Sequence, residues 1–169
     1  GLERITSVVQ NVGTNFDTDL IRPIIGRTEE MTGMTFGRSE AADVAMKVIA
    51  DHSRAAVFLI GDGILPSNEG RGYVLRRIMR RAIRYGRNIG LDRPFLHETA
   101  RVVCDIMRPA YPELSEAQAF ITTVIANEEQ QTPLLAGQPT TAAIGGPEVA
   151  ACDLVEWSSF AGAAGIDTY

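Results

Sequence analysis

Metal-holding residues are scarce in this chain of 169 residues, which has two cysteines and two histidines. Cys104 and Cys152 lie far apart and no CxxC pair occurs. His52 and His97 complete no ligand spacing, so no metal site is expected and Cys104 reads as a reduced core residue. Long apolar runs are lacking too. None approaches the ~20 residues of a membrane helix, so no membrane partner is expected. No basic region followed by an apolar stretch opens the chain, so no secretory signal is expected and a cytoplasmic location follows. The chain begins with Gly1 rather than Met, which suggests a piece of a longer protein. Internal repeats are absent. Residues 130–166 contain neither lysine nor arginine, and no Asp or Glu lies between Arg71 and Arg87.

That last absence accompanies a concentration. Seven of the sixteen basic residues, Arg71, Arg76, Arg77, Arg80, Arg81, Arg84 and Arg87, fall in the stretch RGYVLRRIMRRAIRYGR. It carries +7 within a chain of net charge −5, which leaves −12 on the remainder. An acidic protein that gathers its positive charge in one place suits a polyanionic partner. At about 100° per residue, the arginines from Arg76 to Arg87 share one arc of a helix. Val74, Leu75, Ile78, Met79, Ala82, Ile83, Tyr85 and Ile89 share the opposite arc. The apolar face can dock on a core while the guanidiniums face outward. Every basic residue of the stretch is Arg, which contacts phosphate bidentately where Lys does not. The competing reading is a solvated helix paired with acids from its neighbours.

The periodicity predicts an all-α, bundle-like fold. Residues 2–12 place Leu2, Ile5, Val8, Val9 and Val12 on one helical face. A turn around Gly13 leads to a helix over 18–31, with Asp17 or Thr18 as cap and Pro23 near its start. A loop spans Gly33 to Gly37. Ser39 caps a helix over 40–52 that carries Ala42, Val44, Ala45, Val48 and Ile49. The apolar run AAVFLI, 55–60, has no partner strand elsewhere and reads as helix. Residues 61–70 form an irregular loop into the arginine helix, which closes between Asn88 and Pro94. A helix over 95–107 is stopped by Pro109 and Pro112. Ser115 caps the next, over 116–129, with Ala119, Phe120, Thr123, Val124 and Ile125 along one side. Residues 130–166 read as irregular chain with one short helix near Asp153–Phe160.

The stretch ADHSRAAVFLIGDGILPSNEGRGYVLRRIMRRAIRYGR, residues 50–87, resembles alanyl-tRNA synthetases where the catalytic domain hands over to the helical tRNA-recognition domain. The segment GLERI at Gly1–Ile5 resembles the end of the third class II synthetase motif. NFDTDLI at 15–21, PFLHE at 94–98 and AYPELSEAQAFITTVIANEE at 110–129 continue the resemblance in the family's order. It implies the end of a catalytic domain over 1–16 and a helical acceptor-stem recognition domain over 17–129. Residues 130–169 depart from the pattern. They lack the family's charged helix and end in Asp167, Thr168 and Tyr169, similar to the start of its DTYGFP motif. A frameshifted stretch and a compact variant both fit that tail.

The resemblance also implies roles. Arg4 would contact ATP phosphate in the adenylate site; its plainer reading is a surface arginine. ATP and Mg belong to the intact enzyme, and the family's zinc site has no counterpart in this chain. The first two class II motifs and most of the third are missing, so the chain alone is expected to be inactive. Alanine-dependent ATP–pyrophosphate exchange at background level is the expected result. The family selects tRNA(Ala) by a G·U wobble pair in the acceptor stem, whose guanine amino group lies unpartnered in the minor groove. Reading that donor requires an acceptor. Asn68 and Asp167 match the family's two readers, against plain readings as a turn or cap residue and a chain end. Arg71, Arg76, Arg77, Arg80, Arg81 and Arg84 would hold the tRNA backbone. The alternative is a non-catalytic helical interaction module whose arginine helix binds an acidic partner. An open arginine face beside Asn68 favours RNA; arginines paired with the chain's own acids favour the alternative. A helix-turn-helix DNA reader fits poorly, because Gly70 and Gly72 stand where it needs base-reading side chains.

Overall fold

Ser53, on the face of the longest helix, hydrogen-bonds Thr99 at 2.8 Å in the middle of the core, where two helices cross. The computed structural model describes residues 1–132. The tail from 133, with its expected short helix, Cys152 and Asp167, lies outside the described residues. Among the described residues there are seven α-helices and no strand: α1 (Leu2–Val9), α2 (Arg22–Thr32), α3 (Glu40–Gly61), α4 (Gly70–Asn88), α5 (Leu96–Met107), α6 (Pro112–Glu116) and α7 (Gln118–Gln131). No described helix is long and apolar enough to cross a membrane.

The hub is α3, packed against α2, α4, α5, α6 and α7. The apolar run 55–60 is its second half, so two expected segments form one helix of 22 residues. Its buried positions, Ala42, Ala45, Met46, Ile49, Ala50, Ser53, Ala56, Val57 and Ile60, recur every three or four residues. Several are alanines, which let neighbouring helices come close. Val44, expected in the core, is instead 42% exposed. α4 docks through Gly72, Leu75, Met79, Ala82, Ile83 and Gly86. Gly86 is required by packing, since a Cβ there would lie 2.3 Å from Cζ of the buried Phe95. Cys104 is a free thiol in the core, pushed up by burial.

Three expected caps act differently. Asp17 accepts from Thr14 N at 3.0 Å and Thr14 Oγ1 at 2.7 Å. That capping box closes a short 3-10 turn over Asn15–Asp17, so α2 begins only at Arg22, with Pro23 in its first turn. Ser39 stands at the N-cap of α3 without a side-chain capping bond; Asp43 accepts from Gly37 N at 2.7 Å instead. Ser115 lies inside α6, and α7 starts after Ala117.

The buried face of α7 also differs from expectation. It is Ile121, Thr122, Ile125, Glu128 and Glu129, while Phe120 is 53% exposed. The two acids hid this face, because buried carboxylates do not register in an apolar pattern. Glu129 reaches the start of α5, where it accepts from Phe95 N at 3.1 Å and Leu96 N at 3.0 Å. A carboxylate there satisfies N–H groups that have no partner within their own helix. Burial raises the Glu129 carboxyl, while those N–H groups and Arg87 pull it down.

A second departure is α1. Leu2, Ile5, Val8 and Val9 are exposed, although the sequence reads as one apolar face. Glu3 ties this helix to α3 through Arg54 at 2.7 Å.

Candidate nucleic-acid interface

The arginine helix divides its charges into three groups. With 3.6 residues per turn, Tyr73, Arg77, Arg80 and Arg84 align along one stripe. All four are exposed. The Arg77 guanidinium lies 5.8 Å from the centre of the Tyr73 ring, so an aromatic face and a cation are presented together. Arg77, Arg80 and Arg84 form no ion pair with a described residue, and neither does Arg71, exposed in the first turn but off the stripe. On one flank Arg81 is half-buried, 5.7 Å from the Tyr85 ring centre.

The other flank faces acids. Arg87 lies 3.8 Å from Asp92. Arg76 is engaged far more closely. Its Nε is 2.8 Å from Glu128 Oε1 and its Nη2 donates to Glu128 Oε2 at 3.1 Å. Its Nη1 donates to the Asn68 Oδ1. Glu128 is 6% exposed. The guanidinium therefore pairs with a buried carboxylate from α7, donating to it through Nη2, and reaches the loop before α4 with Nη1.

That loop is held close to the helix. Gly72 makes the approach possible: a Cβ would lie 2.3 Å from the Leu65 carbonyl oxygen and 2.3 Å from Ser67 Oγ. Ser67 Oγ donates to the Glu69 carbonyl at 2.8 Å. Gly70, at φ 56, occupies the left-handed region as the chain enters α4. Asn68 and Glu69 are exposed, and Glu69 stands at the N-cap without a side-chain capping bond. Leu65, Tyr73 and Val74 add exposed apolar surface around them.

The structure thus places Arg77, Arg80 and Arg84 along one side of α4 with Tyr73, while Asn68 and Arg71 lie at its N-terminal end and Arg71 points off that stripe. It separates Arg76, whose guanidinium is committed within the protein. Arg4 lies apart, exposed on α1. Among the described residues, no group of three or more His, Cys, Asp or Glu could hold a metal ion. Sequence reasoning missed Glu128 and Tyr73. Tyr73 was legible from its four-residue offset to Arg77. Glu128 carried no such signal, since a buried acid looks like a surface acid until its partner is known.

Comparison with known proteins gives this geometry a context. The model of the family "tRNA synthetases class II (A)" matches residues 1–133. The alanine–tRNA ligase of Desulfosudis oleivorans is 63% identical over 129 residues, covering 76% of this chain and 15% of that protein. Those of Halalkalibacterium halodurans and Bacillus subtilis are 59% and 55% identical over 131 residues, covering 78% of this chain and 15% of each relative. The chain thus spans about 15% of the length of the curated relatives it matches. Through a family model that covers all the described residues, and through alanine–tRNA ligases similar over nearly the same stretch, the chain belongs to the class II (A) tRNA synthetases, on the alanyl-tRNA synthetase side of that family.

Proposed function

We propose that this chain recognises the acceptor stem of tRNA(Ala) for aminoacylation by an alanine–tRNA ligase. The reading places its work in the cytoplasm, with ATP and Mg used by parts of the enzyme other than the described residues. The observation that carries it is the exposed stripe of Tyr73, Arg77, Arg80 and Arg84 beside exposed Asn68. A guanidinium row on one helix face can contact the phosphates of a duplex backbone, and such contacts carry no sequence information. Asn68, off that row, offers a carboxamide to a base edge. In a G·U pair the guanine 2-amino group has no partner and donates into the minor groove; in G·C it is bonded to cytosine. The shallow minor groove of A-form RNA admits a side chain. Asp167, outside the described residues, would supply a second acceptor.

Binding of an acceptor-stem hairpin to the chain should therefore weaken steeply with salt, because each phosphate contact releases counterions. Changing Arg77, Arg80 and Arg84 together to Ala should flatten the plot of log affinity against log salt by about three units, roughly one per contact. A flat plot for the unaltered chain, or an unchanged slope in the triple variant, would assign the stripe to a solvated surface or to an acidic protein partner.

A further inference from the structure

We infer that Arg76 is a positioning residue: held by the buried Glu128, it fixes the carboxamide plane of Asn68 and does not grip phosphate. The inference rests on the reading of Asn68 as the base-contacting side chain.

Arg76 belongs to the arginine cluster by sequence, yet its surroundings set it apart. Its side chain is 19% exposed; Nη1 and Nη2 donate to protein acceptors, and Nε lies 2.8 Å from Glu128 Oε1 in the ion pair without completing a hydrogen bond. The ion pair with Glu128 rests on one hydrogen bond from Nη2 and on the close approach of Nε. Glu128 is a buried carboxylate, so releasing Arg76 to a phosphate would strand a charge in the core. Arg77 and Arg80, one and four residues further on, form no ion pair with a described residue and remain available for the backbone.

The bond to Asn68 gives this arrangement a purpose. The loop backbone is already placed by Gly72 and by the Ser67–Glu69 hydrogen bond. The Asn68 side chain itself is exposed, and among the described residues Arg76 is its one hydrogen-bond partner. One lone pair of its Oδ1 accepts from Arg76, which leaves one acceptor lone pair and two amide hydrogens in a fixed plane. Glu128 neutralises Arg76, so the reading residue sits beside an ion pair and not beside a bare cation that would attract any phosphate. Selectivity and grip are thereby carried by different arginines of one helix. α7, which contributes nothing to the stripe, becomes part of the recognition apparatus through a single carboxylate.

The test uses the full 169-residue chain with Arg76→Lys, Glu128→Gln, Asn68→Ala and the double variant Arg76→Lys/Asn68→Ala. Lys keeps the charge but cannot bond Glu128 and Asn68 through two separate planar nitrogens, and Gln keeps an acceptor but frees the guanidinium. Two quantities are read: the mobility of the Asn68 side-chain amide by NMR relaxation, and the affinity ratio for hairpins bearing G·U or G·C. Arg76→Lys and Glu128→Gln should each mobilise the Asn68 amide and cut the G·U preference roughly fivefold or more. In the Asn68→Ala background, Arg76→Lys should leave the ratio unchanged, because its effect passes through Asn68. Two results overturn the inference. One is an Asn68 amide that stays ordered in both variants. The other is an unchanged ratio in both while Asn68→Ala abolishes it, the pattern of a phosphate grip that Lys can replace. If the amide loosens but Asn68→Ala keeps the preference, the positioning role stands and the base-reading role of Asn68 falls.

Discussion

Glu129→Ala lowers the stability of the helical unit by about 3 kcal/mol, the sum of lost charge-assisted bonds and stranded donors. Glu129 accepts from Phe95 N and Leu96 N, both buried, at 3.0–3.1 Å. Those two N–H groups open α5, and truncation to alanine leaves them without an acceptor in the core. The bond also joins the end of α7 to the start of α5, so its loss loosens two helices at once. Urea or thermal unfolding measures the effect, and for a domain of this size the expected fall in melting temperature is on the order of 10 °C. Gln130→Ala, one residue along on the exposed side, should change little. Equal stability of the Glu129→Ala chain would mean that water replaces the carboxylate and that the cap is incidental.

Gly72→Ala has an effect of opposite sign to the usual one. Alanine in place of a mid-helix glycine normally stabilises by about 1 kcal/mol. Here the new methyl would overlap the Leu65 carbonyl oxygen and Ser67 Oγ, both at 2.3 Å. The first of these is backbone, so the loop itself must move. The expected result is a loss of about 1–3 kcal/mol, the usual range for overpacking. Moving the loop also moves Asn68 away from Arg76. The G·U preference should then fall about tenfold or more, equivalent to losing one base-edge contact, while the salt dependence set by Arg77, Arg80 and Arg84 stays. A stabilised chain with its preference intact would show that the close approach is not needed.

These two residues illustrate what the sequence displays and what it conceals. The arginine helix was legible because guanidinium and apolar residues alternate with helical period, and its buried side matches the expected arc at Leu75, Met79, Ala82 and Ile83. The run 55–60 was legible as helix because no second strand existed to pair with it. Glu128 and Glu129 were concealed because a buried acid looks like a surface acid until its partner is known, and those partners lie 52 and 34 residues away. The start of α2 was misplaced because Asp17 serves its own local turn before any helix can use it. The exposed face of α1 had the pattern of a core helix, since periodicity reports amphipathicity and not what covers it. Within the site, sequence gave Asn68 and the arginines a common neighbourhood. Arg76 separates from the stripe only in the folded chain, because that separation depends on a residue of another helix.

The central claim is that base reading and backbone grip reside in different side chains of one neighbourhood. It is tested by measuring affinities of the chain, Asn68→Ala and Arg80→Ala for two acceptor-stem hairpins that differ only in G·U against G·C. Asn68→Ala should bring the two hairpins together, losing about 1–3 kcal/mol of discrimination. Arg80→Ala should weaken both by the same factor and leave their ratio unchanged. Discrimination that survives in Asn68→Ala, or that disappears in Arg80→Ala, would contradict the account.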